Sequence, residues 1–177
     1  MIGEERGSIM GYIVKTPEEI QGNVFSMIGS DWMLVTAQNG EKYNTMTASW
    51  GGMGVLWGKP VAFIFIRPQR YTYTFLENTD RFTLSFFGGA CRDALALCGR
   101  VSGRDTDKIR EAGLVPFSTN DGYMSFREAS VILECRKLYA DFIKEENMLD
   151  TSLMEHYKAG DFHKMYIAEI TRGLIQE

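Results

Sequence analysis

The 177-residue chain has only three cysteines, four prolines and two histidines. Cys91, Cys98 and Cys135 are odd in number, form no CxxC pair and have no histidine cluster nearby. That excludes a disulfide framework and a zinc site, and suits free thiols in a reducing compartment. The longest apolar runs, such as residues 61–66, are far too short to cross a bilayer. The first twenty residues carry Glu4, Glu5, Glu18 and Glu19 where a signal peptide would be apolar. A cytoplasmic protein without membrane contact is the expectation. Nucleotide fingerprints are missing as well: Gly52-x-Gly54 would need glycine at 57, where Trp57 stands, and no Gly-Lys-Ser/Thr marks a P-loop.

With 45% apolar and 24% charged residues, the composition is that of one folded domain. The net charge of −4 disfavours nucleic acid, but it is unevenly spread. Between Lys59 and Arg110, nine Lys and Arg stand against five Asp and Glu, so a basic middle lies inside an acidic chain. A small anionic ligand suits that pattern better than a polyanion does.

Residues 1–22 show little periodicity and read as an arm around the body. Runs 32–38 and 42–50 are β-rich and flank Asn39-Gly40, a hairpin signal. The run VAFIFI at 61–66 reads as a strand buried on both faces, 81–87 as a second such strand, and 131–143 and 162–175 as long strands. Helices are expected at 72–78, 92–97, 106–112 (capped by Asp105 and stopped by Gly113) and 147–157. Many strands, no βαβα alternation and no internal repeat point to a mainly β fold, an antiparallel barrel with inserted helices.

Chemistry concentrates in three places. Residues 43–58, YNTMTASWGGMGVLWG, crowd glycine, hydroxyl and tryptophan residues, and Thr47 and Ser49 fall on one side of an extended strand. IRPQRYT, 66–72, brings Arg67 and Arg70 beside Tyr71 and Thr72, where two guanidiniums and two hydroxyls can converge on a phosphate. SGRDTDK, 102–108, adds Arg104 and Lys108 and a helix start. Each cluster taken alone is also compatible with solvated side chains at an element's end.

In this order and spacing, NTMTASWGGMGVLWGKP, IRPQRYT, FTLSFF, SGRDTDK and GDFHKMYIAEI resemble the FMN-binding flavin reductase-like family, particularly its flavoredoxin-like branch in anaerobic microbes, over residues 31–169. The resemblance implies a six-stranded antiparallel split barrel, a homodimer, and noncovalent FMN near the subunit interface. It places Asn44, Met46, Thr47, Ala48, Ser49 and Trp50 along the flavin, and Arg67, Arg70, Tyr71 and Thr72 at its phosphate and ribityl chain. Ser102, Gly103 and Lys108 would complete the pocket, with His163 near flavin or nicotinamide.

Since a flavin does its own redox chemistry, no nucleophile and base pair is required. Two functions stay open: a reductase passing electrons from NAD(P)H through FMN to a flavin, metal complex or other acceptor, and a flavoredoxin-type carrier served by redox partners. Pyridoxamine phosphate oxidase-like and haem-degrading proteins share the barrel class but are expected to carry other anion clusters. A barrel that binds no cofactor would leave the glycines and arginines purely structural.

Overall fold

A computed structural model describes residues 11–177 and the two-residue strand Ser8–Ile9. That strand, β1, pairs with β2 (Tyr12–Lys15). Next come β3 (Met33–Asn39), β4 (Lys42–Ala48), β5 (Gly51–Leu56), β6 (Lys59–Ile66), helix α1 (Tyr71–Leu76) and β7 (Arg81–Phe86). Helices α2 (Arg92–Arg100) and α3 (Lys108–Glu111) precede a separate hairpin of β8 (Pro116–Ser118) and β9 (Met124–Phe126). The long strands β10 (Val131–Phe142) and β11 (Lys164–Gln176) finish the chain.

All strand pairs are antiparallel, and the wall runs β4-β3-β7-β10-β11-β6-β5. No strand pairing joins β4 to β5 among the described residues, although only Ser49 and Trp50 connect them. The barrel is split along that line. β11 serves two neighbours in turn, pairing with β6 through Lys164–Glu169 and with β2 through Gly173–Gln176. The arm therefore wraps the body by adding a strand; its residues 1–7 and 10 lie outside the described residues.

Period-two alternation builds two cores. On β3, Met33, Val35 and Ala37 face the barrel interior with Leu84, Leu133 and Tyr166, while Leu34 faces an outer layer with Leu95, Phe126 and Ile132. Truncating a fully buried residue such as Leu84 to alanine should cost about 2–5 kcal/mol.

Several expectations need correction. VAFIFI is buried on both faces only at its start: Ala62, Ile64 and Ile66 are inside and Val61 is buried on the outer face, but Phe63 and Phe65 on that face are half-buried, Phe65 lining an open cleft. The first hairpin turns on Gly40-Glu41, with Asn39 paired to Lys42 and Gly40 at φ +61°. A second hairpin, absent from the sequence reading, turns on Trp57-Gly58, both at positive φ, as a two-residue loop of the primed kind requires. The glycine-rich GGMGVL, not read as a strand from the sequence, is strand β5 of the split barrel. A Cβ at Gly51 would sit 2.6 Å from the Phe63 carbonyl oxygen, so the close pairing with β6 needs glycine there.

Asp107, not Asp105, caps α3, accepting from the Arg110 N–H at 3.3 Å. The amides of Asp105 and Thr106 are already turned back onto the Ser102 carbonyl, which delays the helix start. Where one helical piece was expected at 147–157, residues 145–157 hold two 3₁₀ helices, Glu145–Asn147 and Thr151–Tyr157.

Candidate functional site

β4 ends the hydrogen-bonded strand order, so its outer edge carries backbone donors and acceptors without a strand partner among the described residues. Met46, Thr47 and Ala48 bring that edge to a cleft of about 330 Å³, and Ser49 and Trp50 turn the corner around it. β6 contributes Phe65 on the far wall and Arg67 just past its end. Arg70 enters ahead of α1, Gly99 from the last turn of α2, and His163 from the residue preceding β11. Thr47 fixes α2 against β4, its hydroxyl donating to the Leu95 carbonyl; a Cβ at Gly99 would press on the Thr47 side chain at 3.3 Å.

The lining holds two arginines and no carboxylate. Arg70 Nη2 donates to the Gly99 carbonyl at 2.7 Å, and the buried Lys108 donates to the carbonyls of Cys98 at 3.1 Å and Val101 at 3.2 Å. Two cations thus sit at the carbonyl end of α2, where the helix dipole favours positive charge. Burial, and to a lesser degree the nearby Arg70, pulls the Lys108 pKa down to about 8.

Arg67 is more heavily engaged. It is ion-paired with Asp161, donates Nη1 to the Asp161 carbonyl at 3.2 Å and Nη2 to the His156 carbonyl at 2.9 Å, and lies 5.3 Å from the Tyr157 ring centroid. Those contacts hold residues 156–161 beside the cleft. His163 is buried, with Nδ1 3.0 Å from the Tyr157 hydroxyl and its ring 5.1 Å from the half-exposed Trp50. Burial first, then Arg67, pull the imidazole pKa down to about 4, so it is uncharged at neutral pH.

The family model for the flavin reductase like domain matches residues 25–177. The chain belongs to the flavin reductase-like family. An FMN-binding protein from Thermus thermophilus has a similar structure, with a TM-score of 0.65 and 21% identity over 92% of this chain and 83% of that one. Flavoredoxin from Methanosarcina acetivorans gives a TM-score of 0.63 at 21% identity, covering 90% and 75% of the two chains. A protein with a split barrel domain from Shewanella frigidimarina gives 0.66 at 14%, covering 87% and 73%. At such identities the likeness is one of fold. The search of curated proteins gave no significant match.

In this flavin reductase-like chain, eight of the residues singled out from sequence share the cleft: Met46, Thr47, Ala48, Ser49, Trp50, Arg67, Arg70 and His163. Six do not line it. Asn44 donates to the Thr72 hydroxyl at 2.8 Å, and both are buried. Gly103 packs against the Asn44 amide and the Tyr71 ring, leaving no room for a side chain. Ser102 opens the turn before α3, accepting from the Arg104 amide at 3.2 Å, and Lys108 caps α2. Of these, Asn44, Gly103 and Lys108 border a second depression of about 410 Å³, which Arg104, Asp105 and Asp107 also line.

Two lining residues, Phe65 and Gly99, escaped the sequence reading. The alternation of Phe63 and Phe65 with smaller aliphatic residues was the available signal for the first. Gly99 carried none, since a glycine near a helix end is ordinary.

Proposed function

We propose that the cleft binds FMN and that the protein is an oxidoreductase working through it. The observation that carries this reading is the convergence in one cleft of aromatic surface, an unpaired strand edge and arginines with no lining carboxylate. Trp50 and Phe65 supply apolar faces for a flat ring, and the edge of β4 offers backbone groups to the ring's polar rim. Arg70 makes a single hydrogen bond among the described residues, which leaves most of its donors for a phosphate. Arg67 adds charge, although Asp161 neutralises part of it. Tyr71, Thr72, Asn44, Ser102, Gly103 and Lys108 support the phosphate end from behind.

Bound there, FMN would supply electron transfer, taking reducing equivalents from NAD(P)H and passing them to a flavin, a metal complex or another acceptor. The chain's own residues bind, orient and screen. His163, uncharged and next to Trp50, offers hydrogen bonding without adding to the positive charge. Trp50 on the cleft rim is 44% exposed, and Val55 at 79% and Trp57 at 60% stand at the far, turn end of the β5–β6 hairpin; we assign these exposed apolar side chains to a homodimer contact. None of the described helices is long and apolar enough to cross a membrane, and the three free thiols suit the cytoplasm.

An absorption spectrum of the purified protein tests the cofactor: flavin bands are expected, and a colourless protein that takes up no FMN on titration refutes the reading. Anaerobic mixing with NADH or NADPH tests the donor. Rapid bleaching supports the reductase, whereas bleaching only by a reduced protein supports a flavoredoxin-like carrier. Light scattering at micromolar concentration should find a dimer; a monomer with FMN tightly held would remove that assignment.

A further inference from the structure

Tyr157 is buried, and its ring is fixed on two sides of its chemistry. It stacks on Phe162 at 4.6 Å and 13°, and the Arg67 guanidinium lies over it at 5.3 Å. Its hydroxyl meets one partner among the described residues, His163 Nδ1, at 3.0 Å. The other imidazole nitrogen, Nε2, has no hydrogen-bond partner among the described residues, and the ring lines the cleft. If Nδ1 carried the proton, the phenolic hydrogen would be left without an acceptor, a cost of about 1–3 kcal/mol for a buried donor. The arrangement that satisfies both groups has the phenol donating and Nδ1 accepting.

We propose that Tyr157 is a positioning residue for the cleft: its phenol holds His163 in the Nε2–H tautomer, which presents an uncharged donor to a carbonyl or ring-nitrogen acceptor on the ligand. The charged groups around the imidazole divide the work. Arg67, past the end of β6, repels a second positive charge, as does His156 from the 3₁₀ turn, and Asp161 opposes them. An uncharged donor next to two arginines suits a ligand that is planar and neutral at one end and anionic at the other. Only the identity of that acceptor rests on the FMN reading; the tautomer is a property of the chain.

The chain has two histidines, so the full-length protein labelled with ¹⁵N-histidine shows two imidazoles, and His156→Gln assigns them. His163 should appear as one neutral tautomer with the proton on Nε2, and should not titrate between pH 8 and roughly pH 5.5, well above its shifted pKa. In Tyr157→Phe, which keeps the ring stack, the tautomers should mix and the titration midpoint should rise by about one pH unit, because a hydrogen bond favouring the neutral form is gone. Added FMN should shift the Nε2 resonance and leave Nδ1 nearly unmoved. A wild-type spectrum with the proton on Nδ1, or a Tyr157→Phe spectrum matching wild type, overturns the proposal. Failure of FMN to bind, read separately by absorbance, would overturn the FMN reading and leave the tautomer result to stand or fall by itself.

Discussion

Arg172, on a strand of the barrel wall, and Arg70, at the start of α1 beside the cleft, have surroundings that differ in one respect that decides what each can do. Arg172 on β11 faces Glu134 directly across the β10 register, with Nε to Oε2 at 2.8 Å and Nη2 to Oε1 at 3.1 Å. Glu134 is fully buried and also accepts from the Thr119 hydroxyl, while Asp121 meets Arg172 from outside at 2.9 Å. There, every charge has an opposite charge. Arg70 has a carbonyl instead, that of Gly99, and Lys108 beside it has two more. A carbonyl dipole satisfies a donor without cancelling a charge, so the cleft keeps a positive balance that the Arg172 region lacks. Counting arginines would not have distinguished the two regions; their acceptors do.

Breaking the paired region should have the largest effect. Arg172→Ala leaves Glu134 buried without its bidentate partner and should lower unfolding free energy by about 3–5 kcal/mol, measured by urea denaturation, while FMN affinity of the folded fraction is unchanged. The reverse pattern is expected of Arg70→Ala: FMN affinity should fall by roughly tenfold to a hundredfold, on the order of 1.5–3 kcal/mol, with little loss of stability. Riboflavin, which lacks the phosphate, should bind wild type and this variant alike. Equal losses for both ligands would mean that Arg70 supports the ring or the fold, not the phosphate.

The pH response sharpens the contrast at the cleft. His163 is held neutral, with a folded pKa of about 4 against an ordinary 6.5, so between these values the unfolded chain binds the extra proton. Stability should therefore fall as pH drops through that window, by up to about 1.4 kcal/mol per pH unit from this group, and His163→Gln should flatten the slope. Urea titrations at pH 6.5, 5.5 and 4.5 would show it.

Arg104→Ala should have the smallest effect. Arg104 is exposed but not a hydrated bystander: it donates to the Gln69 carbonyl at 3.2 Å and lies 4.8 Å from the Tyr71 ring centroid. Its loss should slacken the segment carrying Arg70 and weaken FMN binding by a few-fold at most, under about 1 kcal/mol. A loss larger than that of Arg70→Ala would move the phosphate to the loop before α3.

The parts of the site that could be read from sequence were those whose residues are neighbours in the chain. Residues 46–50 follow one another along a strand edge and its corner, and Arg67 and Arg70 lie just beyond a recognisable strand. Harder to see were relations across distance. Nothing local shows that Asn44 and Thr72 hydrogen-bond to each other 28 residues apart, outside the lining of the cleft. Strand β5 was hidden by its glycines, which have low strand propensity but permit the backbone approach at Phe63. The helix at 147–157 was expected from short-range composition, but the Asp150 carboxylate, which accepts from the Ser152 amide at 2.9 Å, favours a tight local turn.

The double service of β11 also has a meaning for the order of folding. Its partners β6 and β2 lie about a hundred or more residues earlier in the chain, so these pairings close large loops and are expected to form late. Until they do, β6 is held by β5 alone, the wall bearing Phe65 and Arg67 is unsupported on its other side, and His163 has not been brought beside Trp50. The cleft is therefore among the last features to be completed, and FMN should join an already closed barrel instead of serving as the template on which it folds.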